Sequence, residues 1–123
     1  MKLASVRIVT NDIDRLSSFY TVLTGVAATR LNPDFAEIRL EGFTLALSTE
    51  LLVLQFNAGA AIAAANRSAI FEFLVDDVDG VHKRLGSTVE CVMEPTTMPW
   101  GNRSLLLRDP DGNLVNIFSR PAP

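Results

Sequence analysis

The sequence predicts an α+β fold built from two tandem βαβββ modules. The first observation behind this is an internal repeat. "IVTNDIDRL" (Ile8 to Leu16) matches "FLVDDVDGV" (Phe73 to Val81) at a constant offset of 65 residues, 10 to 75 and 14 to 79. The second is that the same order of patterns follows each copy: an apolar stripe at helical spacing, a glycine, then three strand-like runs. The third is a short alternating run at the end, "NLVNIF", introduced by the tight-turn signal "DPDG".

Each module starts with a strand that ends at an Asn or Asp. Asn11 and Asp12 repeat as Asp76 and Asp77. Such side chains accept from the free N–H groups of a helix start and complement its dipole. Ile13, Leu16, Phe19, Tyr20 and Leu23 form the apolar stripe of the first helix, and Val78, Val81 and Leu85 that of the second. Gly25 and Gly86 stand where each helix should stop. The strands then read "VAATRL", "FAEIRL" and "FTLALS" in the first module, and "TVECVME", "RSLLLR" and "NLVNIF" in the second.

This places module 1 at about residues 1–48 and module 2 at about 70–120 of a single 123-residue domain. The linker between them, about 49–69, reads "TELLVLQFNAGAAIAAANRSA". It is too long for a hairpin. A short helix is expected near Glu50 to Phe56, followed by an irregular crossing.

Composition narrows the function. Hydrophobic residues make up 48% and charged residues 20%, as in a globular domain. The net charge of −3 supplies no basic field for nucleic acid. No apolar run is long enough to span a bilayer. The N-terminus lacks the apolar core and cleavage site of a signal peptide. One cysteine excludes an internal disulfide, and a cytoplasmic location is the default expectation.

Two βαβββ modules, helix starts of the form Asp12-Ile13-Asp14 and Asp77-Val78-Asp79, and the closing "DPDGN" hairpin resemble the vicinal oxygen chelate superfamily. That superfamily includes glyoxalases, extradiol dioxygenases and bleomycin-resistance proteins. The resemblance implies sheets that curl into a half-open barrel around a concave cleft. It also implies a homodimer and a small-molecule ligand held on the concave side.

Metal-dependent members carry His, Glu or Gln at four inward strand positions. By the resemblance these fall on Ser5, Ala46, Ile70 and Asn116. Ala and Ile cannot ligate, and a hydroxyl and a neutral amide bring no charge. No metal and no other cofactor is therefore expected. The only histidine, His82, lies on the second helix at the edge of its apolar stripe.

Strand alternation sorts the faces. Val6, Ile8, Phe71, Phe73, Leu45, Leu47, Val115 and Ile117 should pack on helices. Ser5, Arg7, Thr44, Ala46, Ser48, Ile70, Glu72, Leu114, Asn116 and Phe118 then face the cleft. A mixed lining of this kind suits a small-molecule pocket. Arg7 and Glu72 are repeat mates, either an ion pair or ligand contacts. Asn116 is either a satisfied amide or an orienting group.

Extra residues in module 2 fall around "EPTTMPWGNR" (Glu94 to Arg103), which presents Met98 and Trp100 on a proline-stiffened loop. Trp100 is positioned either to stack on a flat ligand or to cap the fold. Arg103 either meets an anionic group or stays solvated. Cys91, alternating with Val89 and Met93, is expected to be buried. The pairs Asp76–Asp77 and Asp109–Asp111 are helix-start and turn residues.

Three functions remain open. The residues favour metal-independent binding or sequestration of an aromatic or amphipathic small molecule, with Ser5, Arg7, Ala46, Ile70, Glu72, Trp100, Arg103, Asn116 and Phe118 at the site. The resemblance keeps a metal-dependent lyase, isomerase or dioxygenase as an alternative. The third is a metal-free enzyme using Glu72.

Overall fold

A computed structural model describes all residues, 1–123. The chain divides into two compact units, Met1–Ala65 and Asn66–Pro123. Unit 1 contains β1 (Ser5–Thr10), α1 (Ile13–Thr24), β2 (Thr29–Asn32), β3 (Phe35–Leu40), β4 (Phe43–Thr49) and α2 (Glu50–Phe56). Unit 2 contains β5 (Ile70–Leu74), α3 (Val78–Leu85), β6 (Glu90–Thr97), β7 (Arg103–Arg108) and β8 (Leu114–Ser119). Both predicted βαβββ modules are present, and α2 is the short helix expected after the first.

Each module folds into a four-stranded mixed sheet, ordered β1-β4-β3-β2 and β5-β8-β7-β6. In each, the first and last strands of the module run parallel and the remaining neighbours antiparallel. A parallel neighbour requires a crossover, and α1 and α3 lie within those crossovers.

The repeat is visible at atomic level. Asp12 caps α1 by accepting from the Arg15 N–H at 3.0 Å, and Asp77 caps α3 by accepting from the Gly80 N–H at 3.0 Å. Gly25 ends α1 in the left-handed region at φ 73°, a conformation that a side chain would strain.

The stripes predicted from sequence make the core. Leu16 and Tyr20 of α1 are fully buried with Ile38 and Leu47 of unit 1. In unit 2, Val78 and Leu85 of α3 are buried, as are Leu105, Leu107, Val115 and Ile117. The hairpin between β7 and β8 is clasped by Asp109. Its carboxylate accepts from the Asp111 and Asn113 N–H groups and from the Asn113 side-chain amide, at 2.9, 2.9 and 2.8 Å.

Three local expectations are corrected. The run expected as a strand from Val26 pairs only from Thr29, because Val26 is taken into the helix exit, its N–H donating to Thr24 Oγ1 at 3.1 Å. The strand expected from Thr88 starts at Glu90, because Gly86–Thr88 form a 3-10 turn and the Thr88 hydroxyl donates to the Leu85 carbonyl at 2.7 Å.

Cys91 is exposed rather than buried. It pairs with Leu107, but it lies on the edge strand β6, and the register shifts between Cys91 and Met93. The shift moves Met93 opposite Leu106 and off the face of Cys91, and the edge position leaves Cys91 uncovered.

Candidate functional site

The register of unit 2 defines one sheet face around Asn116. On β5 and β8, Ile70 pairs with Leu114, Glu72 with Asn116 and Leu74 with Phe118. On β7, Leu106 pairs with Asn116 and Ser104 with Phe118. Val115, Ile117, Leu105 and Leu107 fall on the other face and are buried. The Asn116 face carries no helix of its own unit. Ile70 and Leu74 are 50% and 56% exposed there.

At the centre of this face Asn116 Nδ2 donates to Glu72 Oε2 at 2.8 Å. The opposite amide orientation would press a carbonyl oxygen against a carboxylate, so the contact fixes the flip. Asn116 Oδ1 is then buried without a partner. Glu72 itself is exposed. A carboxylate with an anchored oxygen thus stands between two large, solvent-facing apolar side chains.

The equivalent face of unit 1 is furnished differently. α2 packs on β1 and β4, and its C-terminal cap Asn57 accepts from Arg7 Nη2 at 2.7 Å. Ser5 and Arg7 are exposed. Ala46, expected to line the ligand face, is only 3% exposed, so it is a packing residue. Ser48 is buried beside it on β4, its hydroxyl without a partner. Arg7 and Glu72 each take an amide partner within their own unit.

Arg103 lies on the other face of the sheet. It shares the face of Leu105 and Leu107, toward α3. Its Nε and Nη2 donate to both carboxylate oxygens of Asp79, at 2.6 and 2.7 Å, and its Nη1 donates to Thr97 Oγ1 at 3.0 Å. The hydrogen bond to Arg103 holds the Asp79 carboxyl below its ordinary value, and Asp79 raises the guanidinium in return. Arg103 is therefore a structural tie between β7 and α3, not a residue of the Asn116 face.

Trp100 sits in the turn between β6 and β7 and is 68% exposed. The turn is closed by the Gly101 N–H donating to the Met98 carbonyl at 2.9 Å and the Met98 N–H donating to the Asn102 carbonyl at 2.7 Å. Because β7 starts at Arg103, opposite Ser119, the turn lies at the Phe118 end of the sheet.

Leu106, Leu74 and Arg120 are among the residues of the face that the sequence reading missed. Leu106 is hidden in a run of three leucines, "LLL", where hydropathy gives no parity. Leu74 precedes the helix start and reads as a strand end. Arg120 places its guanidinium carbon 5.9 Å from the centre of the Phe118 ring, a contact with no sequence signature.

At the four positions where the resemblance implied metal ligands, the donor set does not suit a divalent ion. Ser5, Ala46, Ile70 and Asn116 offer at most a hydroxyl and an amide, and the Asn116 amide is engaged with Glu72. No three His, Cys, Asp or Glu side chains gather where they could share an ion. His82 is half-buried on α3.

The protein is thus a duplicated βαβββ fold with one mixed sheet per repeat and a face of mixed polarity on the second. Residues 2–117 match the model of the Glyoxalase/Bleomycin resistance protein/Dioxygenase superfamily, and the chain belongs to that superfamily.

Solved structures agree on the fold. A glyoxalase/bleomycin resistance protein/dioxygenase from Nocardioides is 22% identical with TM-score 0.81, over 98% of this chain and 84% of that one. A glyoxalase-related enzyme from Fulvimarina pelagi is 22% identical with TM-score 0.83, over 98% and 88%. A family enzyme from Burkholderia phytofirmans is 20% identical with TM-score 0.81, over 97% and 98%. Among curated proteins none matches the chain. No helix is long and apolar enough to cross a membrane.

Proposed function

We propose that this protein is a metal-independent binder of an aromatic or amphipathic small molecule, held on the Asn116 face of unit 2. The observation that carries the reading is the make-up of that face. Solvent-facing Ile70 and Leu74, with Phe118 and Leu106, surround one anchored polar pair, Glu72 and Asn116. Recognition sites for small molecules combine apolar walls with a few fixed polar groups. The poor donor set at Ser5, Ala46, Ile70 and Asn116 supports a reading without metal.

The protein acts as a cytoplasmic homodimer in this reading. Exposed Leu51, Leu54 and Phe56 on α2, and Val92 on the edge strand β6, support a surface that a second copy covers. Trp100 borders the ligand and stacks on its flat part.

Trp100 is the only tryptophan, so its fluorescence reports directly on binding. Equilibrium dialysis against a panel of aromatic and amphipathic compounds is expected to give hits that also change that fluorescence. Trp100→Ala should weaken those hits by about fivefold, from loss of roughly 1 kcal/mol of stacking. Unchanged binding would remove Trp100 from the site. A panel without hits would remove the binding reading.

A further inference from the structure

We infer that the small molecule taken by the Asn116 face carries a protonated nitrogen beside its apolar body. This rests on the binding reading above and names the ligand class.

Glu72 has only one partnered oxygen. Oε2 accepts from Asn116 Nδ2 at 2.8 Å, and no cationic side chain of the chain forms an ion pair with the carboxylate. Neither cationic side chain near the face pairs with Glu72. Arg108 donates to the Gly112 carbonyl at 3.0 Å and lies 3.9 Å from Glu90. Arg120 is over the Phe118 ring. One negative charge is therefore left unmatched between Ile70 and Leu74.

Asn116 is the positioning residue of this arrangement. Its donated hydrogen bond, at 2.8 Å, holds one oxygen of the carboxylate, and its own Oδ1 is buried without a partner. Orphaning an acceptor has a free-energy cost, so an orientation that accepts it is set by the carboxylate.

A carboxylate flanked by apolar side chains discriminates by charge. A neutral donor gains little over the water it displaces. A protonated amine gains a charge-assisted hydrogen bond, strengthened where an apolar ligand body excludes water from the flanks. An anion is repelled.

Benzylamine, benzyl alcohol and benzoate form a series of similar shape that differs in charge. Each is titrated into the full chain, with amide chemical shifts of β5 and β8 as readout. Benzylamine is expected to bind about tenfold more tightly than benzyl alcohol, the usual worth of a charge-assisted hydrogen bond. Benzoate should bind most weakly.

Glu72→Gln should abolish the preference for the amine, and Asn116→Ser should reduce it by releasing the carboxylate. Equal affinity for amine and alcohol would overturn the charge inference and leave the binding reading intact. A preference that survives Glu72→Gln would overturn the assignment to Glu72. Shifts from none of the three probes would overturn the binding reading and this inference with it. If Glu72→Gln dissociates a dimer that benzylamine does not disturb, the carboxylate serves contact between copies, and the inference fails. Where Glu72→Gln does not fold, the amine-to-alcohol ratio in the unaltered protein and in Asn116→Ser still decides.

Discussion

Arg103 holds Asp79 through both carboxylate oxygens, at 2.6 and 2.7 Å, and so ties β7 to the first turn of α3. A carboxylate at a helix start already benefits from the helix dipole, and the guanidinium fork adds a geometric lock. The carboxyl is held below its ordinary value of 3.8. Its contribution to stability is present above that value and is lost as pH falls through the lower folded-state value. Arg103 is raised, so its contribution holds throughout the neutral range and is lost only in strong alkali. Between about pH 5 and pH 2, the native protein should lose stability more steeply than Arg103→Ala. The difference is small because both groups are solvent-screened. Chemical denaturation across that range measures it, and parallel curves would mean the pair contributes nothing.

Gly80 is placed under the cap that Asp77 provides. A Cβ there would collide with the Asp77 carboxylate, which would have to swing aside. Asp77→Ala alone should cost about 1 kcal/mol through loss of the cap. Gly80→Ala alone should be close to neutral, because the helix-propensity gain of about 1 kcal/mol is offset by the disturbed cap. In the Asp77→Ala background the same glycine substitution should stabilise by about 1 kcal/mol. Urea melts of the four proteins complete the cycle, and additivity would refute the clash.

Adjacent leucines of β7 should behave oppositely. Leu105 is fully buried on the α3 side, and Leu106 is half-buried on the Asn116 face. Leu105→Ala should cost about 3 kcal/mol by opening a cavity in the core. Leu106→Ala should cost roughly 1 kcal/mol or less and should weaken binding of the ligands found by dialysis. Similar losses of stability at both positions would contradict the face assignment.

A chelator should leave the melting temperature and ligand affinity unchanged. Elemental analysis of protein purified without added metal should find no stoichiometric nickel, zinc, manganese or iron. A ligand bound only by the folded state would raise its stability, and a resident ion would do the same. A clear drop in Tm on chelation would end the metal-free reading.

The repeat, the order of elements and the helix starts are legible in the chain alone. These depend on nearest-neighbour chemistry. Asp12 and Asp77 reach N–H groups three residues away, and Asp109 reaches groups within four. The stripe from Ile13 to Leu23 and the alternation from Leu114 to Phe118 are equally local. Such patterns hold wherever the chain is placed.

Tertiary structure decided which of the candidate residues share a face. A bulge on β6 moved Met93 to the side of Leu106, away from the face of Cys91. The three leucines of β7 acquired sides only through pairing with β8. Arg103 found Asp79, and Asn116 found Glu72, across separations of 24 and 44 residues. Ala46 became a buried packing residue, while its mate Asn116 lies beside exposed Ile70, Glu72 and Leu74. Long-range hydrogen bonds and packed layers depend on where chain segments meet, and hydropathy along the chain does not encode that meeting.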